Sequence, residues 1–223
     1  MQRGYDTLAR EYERTFPEPF QTPLERHAVE AFAQHVRESG VGGPVVDVGC
    51  GTGHVTAVLR EQGLPATGVD PSEAMVAIAR ESHPDVPFEV AGPDSGQWTA
   101  LAEGHDLAAV LARFSLIHVP PERVPGVLES WAERMPEGGV VMLAFQAMDR
   151  GRAVVSFDHA VAPAWRWHPE VMADHLLRAG FREVWHSMSR PDEDHRFPEC
   201  HLLAMRSLGP IPQEPASCGC RVE

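Results

Sequence analysis

The feature that most constrains this chain is a short apolar run leading directly into a glycine-rich turn at residues 45–53, Val-Val-Asp-Val-Gly-Cys-Gly-Thr-Gly. Such a β-branched run is typical of a parallel strand covered on both faces. Because glycine has no Cβ, Gly49, Gly51 and Gly53 allow positive φ and close approach of a ligand. Residues 54–62 are predicted to be helical, with free N–H groups directed at the turn. The pattern therefore predicts a site for a polar or anionic group.

The spacing of the turn separates two kinds of nucleotide ligand. A dinucleotide turn needs glycine at its first, third and sixth positions, but the sixth position is His54 when Gly49 is the first and Thr56 when Gly51 is the first. A phosphate-binding P-loop needs a lysine that this turn lacks. Asp70 ends the next apolar run, where a carboxylate suits the two hydroxyls of a ribose. We therefore expect a nucleoside ligand, with a ribose and no phosphate. The alternative role for Asp70 is the N-cap of the helix that follows it.

Apolar runs and helical periodicity alternate along the chain. Strands are predicted at residues 44–48, 66–70, 87–90, 107–112 and 139–145, and helices at 54–62, 72–81 and 122–135. Another helix precedes the first strand and ends near Gly40, and one more runs from Pro169 to Gly180. Two final apolar runs, 181–188 and 200–206, have hairpin spacing. This alternation predicts a parallel sheet wound on both faces, with ligands at the carboxyl ends of the strands.

Five segments resemble, in order, the motifs of class I S-adenosylmethionine-dependent methyltransferases of the small-molecule type. They lie at residues 45–53, 68–75, 115–122, 136–143 and 179–184, within a region of about residues 40–206. The resemblance implies an α/β fold with a doubly wound, mostly parallel, seven-stranded Rossmann-like sheet. It also implies an antiparallel last strand and an N-terminal helical lid. The implied cofactor is S-adenosyl-L-methionine.

We expect one domain over residues 1–208, with the helical lid at 1–38 and a substrate-side insert at 146–168. Residues 209–223 are rich in proline, glycine and polar residues, which predicts a disordered tail.

The resemblance implies that the cofactor is held at the glycine turn, at the strand ends and by the lid. The residues are Tyr5, Tyr12, Asp47, Gly49, Cys50, Gly51, Gly53, Asp70, Pro71, Met75, Asp94, Arg113 and Ser115. Alternatives stay open for several of them. Met75 also fits a core position, Asp94 an ordinary turn, and Cys50 a small side chain in the turn. Tyr5 and Tyr12 also fit simple packing on the sheet edge.

Methyl transfer to a nucleophile needs alignment and exclusion of water, and at most one base. His118 is the candidate base because it follows the fourth strand and titrates near neutral pH. Its alternative is a structural histidine beside the prolines that follow it. The candidate acceptor contacts are the residues Phe16, Phe20, Gln146, Phe157, His159, Trp165 and Trp167, since aromatic rings with a few polar groups suit an organic acceptor. The alternative for some of them is core packing.

Composition narrows the function further. Nineteen basic against thirty-two acidic residues give a formal charge of −13, which disfavours a nucleic-acid partner and favours a small-molecule acceptor. No apolar run is long enough to cross a bilayer and the N-terminus lacks a signal-peptide core, so we expect no membrane partner and a cytoplasmic location. We expect a monomer or homodimer, and no metal, although His195, Cys200 and His201 have metal-ligand chemistry.

The sequence therefore predicts transfer of a methyl group from S-adenosylmethionine to a small organic acceptor, on oxygen, nitrogen or carbon. The alternative is a protein that binds this cofactor without transfer, such as a non-methylating cyclase or a regulator. A nicotinamide-dependent oxidoreductase would require the dinucleotide turn that is missing here.

Overall fold

The computed structural model describes residues 3–99, 106–151, 154–193 and 195–209. Apart from Gly209, the predicted tail lies outside these residues. The helices of this part are α1 (Arg3–Thr15), α2 (Pro23–Ser39), α3 (His54–Glu61), α4 (Glu73–Ser82), α5 (Val124–Arg134) and α6 (Pro169–Arg178). The strands are β1 (Val45–Val48), β2 (Ala66–Asp70), β3 (Phe88–Val90), β4 (Ala109–Arg113), β5 (Val140–Gln146), β6 (Val154–Phe157), β7 (Ala164–Trp167), β8 (Phe181–Met188) and β9 (Glu199–Arg206).

Seven strands form one sheet in the order β3-β2-β1-β4-β5-β9-β8. The first five are parallel to one another, and β9 is antiparallel to both of its neighbours, β5 and β8. The prediction of a mostly parallel, seven-stranded sheet with an antiparallel last strand is confirmed. Because β9 runs against β5, its first residue lies beside the carboxyl end of β5, where Gln146 pairs with Glu199.

The sheet is covered on both faces, as the apolar runs predicted. Every residue of β1 and β2 is buried, and β5 is buried up to its last residue. One core cluster packs α2 and α3 against the sheet through residues such as Phe32 and Leu59, and another packs α5 and α6 through residues such as Trp131 and Leu176. These helices follow or precede parallel strands, which is why they fall on opposite faces.

The predicted lid, residues 1–38, contains two helices in different environments. Helix α2 packs into the core beneath the sheet, with Val29 and Phe32 fully buried. Helix α1 instead lies on α4, where Asp6 accepts a hydrogen bond from the Ser72 hydroxyl at 2.6 Å. Only α1 therefore has the placement expected of a covering element.

The predicted insert, residues 146–168, contains the antiparallel hairpin β6–β7, which the sequence did not indicate. It meets α1 directly, since a Cβ at Gly4 would lie 2.0 Å from the carbonyl oxygen of Val161. Within the described part of the chain, the helices are too short or too polar to cross a bilayer.

Candidate active site

The glycine turn after β1 has the conformation that its sequence predicts. The φ angles of Gly49, Gly51 and Gly53 are 73°, 54° and 84°, a region in which side chains are disfavoured. A Cβ at Gly49 would lie 2.3 Å from the Cβ of Ser115, whereas a Cβ at Gly51 would have no atom within 4 Å. The turn therefore packs tightly against the end of β4 on one side and is open on the other.

Asp70 ties the end of β2 to this turn. Its carboxylate accepts hydrogen bonds from the backbone N–H of Gly51 at 3.0 Å and of Ser72 at 2.8 Å. The N-cap of α4 is Ser72 rather than Asp70, since the Ser72 hydroxyl accepts from the N–H of Met75. Burial raises the pKa of Asp70 to about 6. The group is thus ionised at neutral pH, with its oxygens beside the open side of the turn.

Asp47 lies within β1 and is 3% exposed. Its carboxylate accepts a hydrogen bond from the Thr56 hydroxyl at 2.7 Å, which links the strand to the first turn of α3. Burial raises its pKa to about 6, while the bond from Thr56 acts in the opposite direction. Thr56 carried no signal in the sequence beyond its place in the helix.

These residues fit a nucleoside cofactor of the kind that the motifs imply. Gly51 leaves room for close approach, and Asp70 offers a carboxylate at the same place. The hydroxyl of Ser115 is buried at the end of β4 without a hydrogen-bond partner among the described residues. A buried hydroxyl of this kind normally has a partner, so a ligand is the natural one.

The hydroxyl of Tyr5 on α1 lies 2.9 Å from Nε2 of His118, and Nδ1 of His118 lies 3.0 Å from the carbonyl oxygen of Pro163. A carbonyl only accepts, so Nδ1 carries the proton and Nε2 accepts from Tyr5. Burial lowers the pKa of His118 and raises that of Tyr5, so both are neutral at pH 7. The histidine thus joins α1 to the insert, and both of its ring nitrogens are engaged.

Arg113, at the end of β4, is held by α2 and the segment before it. Its guanidinium donates to the carboxylate of Glu25 and, at 3.4 Å, to the carbonyl oxygen of Pro19, and it lies 5.6 Å from the ring centroid of Phe20. The side chains of Arg113 and Glu25 are 12% and 5% exposed. Arg113 and Phe20 are therefore occupied within the protein, and direct contact of either with a ligand stays a prediction.

The remaining predicted cofactor residues occupy varied positions. Met75 is 1% exposed and packs with Ala9 and Ile78 beneath α1, which corresponds to its core alternative. Asp94 accepts from the N–H of Gly96 at 3.0 Å, which corresponds to its turn alternative. Three more have few polar contacts: Cys50 packs against Val76, Ala79 and Phe88, Pro71 is half-buried, and Tyr12 packs at 4.8 Å, centroid to centroid, against Phe16.

Four predicted acceptor residues lie near the insert. Gln146 and Phe157 line a cavity beside the end of β5, and His159 packs against His118 at a centroid distance of 4.8 Å. Trp165 is partly buried against the core. Trp167 is fully buried and packs against His175 of α6, and its predicted contact with an acceptor stays a prediction. Its alternation with Arg166 along β7 turns it toward the core.

The sequence did not single out three residues that line this cavity, Arg196 and Phe197 before β9 and Glu199 at its start, and it indicated His195 only as a metal ligand. It also missed Glu25, which follows Thr22 at capping-box spacing and so gave only a helix-start signal. These residues come from segments far apart in the chain, and no local pattern joins them.

Comparison with known proteins identifies the family. A family model described as a methyltransferase domain matches residues 7–200, so the chain belongs to the methyltransferase-domain family. The resemblance inferred from the motifs is thereby confirmed.

Two curated relatives are similar over part of the chain. An uncharacterized methyltransferase of Staphylococcus carnosus is 26% identical over 102 residues, covering 45% of this chain and 46% of the relative. A trans-aconitate 2-methyltransferase of Delftia acidovorans is 44% identical over 57 residues, covering 25% of this chain and 20% of the relative. The chain thus matches less than half the length of these relatives.

A solved structure extends the likeness to nearly the whole fold. The 1,6-didemethyltoxoflavin-N1-methyltransferase of Burkholderia thailandensis, crystallised with 1,6-didemethyltoxoflavin and S-adenosylhomocysteine, superposes with a TM-score of 0.71. The superposition covers 92% of this chain and 87% of that one, at 18% identity. At this identity the likeness shows the shared fold.

Proposed function

We propose that this protein transfers the methyl group of S-adenosylmethionine to a small organic acceptor. The observation that carries the proposal is the Asp70 carboxylate bonded to the N–H of Gly51, beside the open side of a turn built from three glycines at positive φ. Membership of the methyltransferase-domain family supports it. The formal charge of −13 supports a small acceptor over a nucleic acid.

In this proposal the cofactor supplies an electrophilic methyl group on a sulfonium. Gly49, Gly51 and Gly53 let the backbone approach it, and Asp70 accepts from its ribose hydroxyls. The unpaired hydroxyl of Ser115 gains a partner at the end of β4. Because Asp70 is already hydrogen-bonded to the turn, the site is formed before the cofactor binds.

Helix α1 and the insert exclude water from the site and hold the acceptor. His118 joins them through its bonds to Tyr5 and Pro163. It acts as a base only if Tyr5 turns away, because Nε2 already accepts a hydrogen bond from the Tyr5 hydroxyl. We therefore propose a positioning role for His118, with the acceptor meeting Gln146, Phe157, His159 and Trp165 on the insert side. We also propose a cytoplasmic monomer or homodimer.

Calorimetry with S-adenosylhomocysteine tests the cofactor site. Asp70→Asn keeps the shape but removes the charge and one acceptor oxygen, so we expect about 10- to 100-fold weaker binding, equal to about 1.4–2.8 kcal/mol. Asp85→Asn is the matched control, since Asp85 is exposed on the loop before β3. Absence of saturable binding to the wild-type protein, or equal affinities of the two variants, would contradict the proposal.

Turnover separates transfer from binding alone. Incubation of the wild-type protein with S-adenosylmethionine and a panel of acceptors should release S-adenosylhomocysteine; trans-aconitate belongs in the panel because it appears in the name of one relative. Tight cofactor binding without product from any carboxylate, hydroxyl, amine or carbon acceptor would favour the non-transferring alternative.

A further inference from the structure

A cavity of about 210 Å³ opens where β5 ends and β9 begins. Its lining residues are Gln146, Phe157, Asp158, His195, Arg196, Phe197 and Glu199. A cavity of about 150 Å³ is enough to hold benzene in a protein interior, so this one has room for a single ring with a short substituent. It lies at the carboxyl edge of the sheet, where α/β folds bind their ligands.

Glu199 places a carboxylate in this cavity that the protein leaves without a donor. The residue is 8% exposed and lines the cavity, and its carboxylate accepts no hydrogen bond from a described residue. Its backbone is fixed instead, because its N–H donates to the Ser189 hydroxyl at 3.0 Å and its carbonyl accepts from the Ser189 N–H at 2.9 Å. Buried carboxylates normally have partners, so this one is set to receive a donor from a ligand.

Gln146 adds a second unpaired group at the same place. It is the cross-strand partner of Glu199, and its Oε1 is buried without a hydrogen-bond partner among the described residues. Since an amide both accepts and donates, Gln146 can meet either kind of ligand group. The charge of Glu199 therefore decides which ligand the cavity prefers.

The arginines near Glu199 already form ion pairs with other carboxylates. Arg113 pairs with Glu25, and Arg196 donates to Asp158 at 2.6 Å.

His195 is matched in a similar way. Its Nδ1 lies 2.8 Å from the carboxylate of Asp192, which raises the pKa of His195 and balances its charge when it is protonated. Arg166 packs on Phe197, with its guanidinium carbon 4.0 Å from the ring centroid, and is not among the residues that line the cavity. Among the described residues no cation is thus hydrogen-bonded to Glu199, although the charges of His195 and Arg113 act on its carboxylate.

A second carboxylate, that of Glu25, lies close to Glu199 but is paired with Arg113. Atoms of Glu25, His195 and Glu199 lie within 4.8 Å of one another. Burial raises the pKa of Glu199 and the charge of Glu25 raises it further, while the charges of His195 and Arg113 act in the opposite direction. The three residues have the donor types of a metal site, but the guanidinium of Arg113 already occupies Glu25 and disfavours a divalent ion there.

The aromatic walls suit the same kind of ligand. Phe157 and Phe197 meet edge to face with their centroids 5.3 Å apart. Aromatic faces attract cations and pack against flat rings. The guanidiniums of Arg166 and Arg196 already lie 4.0 and 4.6 Å from the Phe197 centroid, so Phe157 is the ring that can meet a ligand. A ligand that has a positive charge or an N–H group on an apolar body would pack against the aromatic wall and donate a hydrogen bond to the Glu199 carboxylate.

We propose that this cavity binds the acceptor through a nitrogen group, an amine or a protonated N–H heterocycle, with Glu199 accepting its hydrogen bond. The inference rests on the proposed methyl transfer and narrows its substrate class. It makes Glu199 a specificity-determining residue that selects donors of hydrogen bonds and rejects carboxylates.

Three probes of similar shape and different charge test this: benzylamine, benzyl alcohol and benzoate. Their binding to the full chain is measured by NMR titration at pH 7.5, with and without saturating S-adenosylhomocysteine. The wild-type protein should bind benzylamine, as its ammonium form, at least 10-fold more tightly than benzoate, with benzyl alcohol between them. In Glu199→Gln the preference should fall below twofold.

The matched control is Glu193→Gln, which removes an exposed carboxylate from the same loop and should keep the wild-type ranking. Tighter binding of benzoate, equal binding of the three probes, or an unchanged ranking in Glu199→Gln would overturn the inference. The wild-type ranking tests it even if a variant fails to fold. Failure to bind S-adenosylhomocysteine would instead contradict the proposed function, so the two failures are distinguishable.

Discussion

The two halves of the candidate site differ in how their polar groups are satisfied. On the cofactor side, the carboxylates of Asp47 and Asp70 accept hydrogen bonds from Thr56, Gly51 and Ser72. On the acceptor side, the protein leaves several buried polar groups without partners. These include Oε1 of Gln146 and Nε of Arg166, and the carboxylate of Glu199 also accepts no hydrogen bond from the described residues.

This difference shows which half has its carboxylates fixed without a ligand, although the Ser115 hydroxyl on the cofactor side also has no partner among the described residues. A hydrogen-bonded turn holds its geometry in the free protein, and its ligand adds contacts to a formed site. Unpaired buried groups raise the free energy of the empty acceptor side, and a complementary ligand lowers it by supplying the missing bonds. Substitutions in the two halves should therefore have different signatures.

The largest effect on stability is expected for Arg113→Met, a substitution at a residue between the two halves of the site. It leaves the buried carboxylate of Glu25 without its cation, and breaking a buried pair costs about 3–5 kcal/mol. Urea denaturation measures the loss. Adding Glu25→Gln removes the orphaned charge and should restore part of the stability. A double variant no more stable than Arg113→Met alone would show that the pair is not the cause.

Gly49→Ala should have a smaller but selective effect on the cofactor side. The positive φ costs about 1–2 kcal/mol and the overlap with Ser115 about 1–3 kcal/mol more. Displacement of the turn should also abolish measurable binding of S-adenosylhomocysteine in calorimetry. Gly63→Ala is the control, because Gly63 has a φ of 83° with no atom within 4 Å of the added Cβ. Equal losses in both variants would mean that the close packing against Ser115 is unimportant.

Tyr5→Phe should have the smallest effect, confined to the contact of α1 with the rest of the site. It removes one hydrogen bond to His118, worth about 0.5–1.5 kcal/mol. We expect faster limited proteolysis within α1 and little change in the midpoint of global unfolding. Tyr12→Phe is the control, since the structure gives the Tyr12 hydroxyl no hydrogen bond with a described residue. Identical proteolysis rates of wild type and Tyr5→Phe would show that the Tyr5–His118 hydrogen bond does not hold α1 in place.

The cofactor side was largely predictable because its signals are local. The three glycines and Asp70 lie within a single strand–turn–helix–strand unit. Glycine permits the positive φ of the turn, and Asp70 ends the second strand, where such folds bind their ligands. The strand positions followed from apolar runs in the same way. For Met75 and Asp94 the sequence left open whether each contacts the cofactor or has a structural role, in the core for Met75 and in a turn for Asp94. Only the elements packed around each side chain distinguish these roles.

The acceptor side was less predictable because its residues meet through long-range pairing. Trp167 lies in an aromatic-rich segment that predicts acceptor contacts, and only the hairpin pairing shows that it is buried. Glu199 lies beside Gln146 only because β9 inserts between β5 and β8. His118 follows a strand as a catalytic base does, but Tyr5 and Pro163 take both of its nitrogens.

The sequence by itself determined the family, the parallel sheet and the glycine turn, because periodicity and backbone chemistry act over a few neighbouring residues. Only the tertiary structure decided which polar groups are satisfied and which await a ligand. That outcome depends on side chains from distant segments, such as Glu25 with Arg113 and Gln146 with Glu199, meeting within hydrogen-bond range or failing to do so. Burial then sets the energetic consequence, since an unpaired group costs free energy only where water cannot reach it.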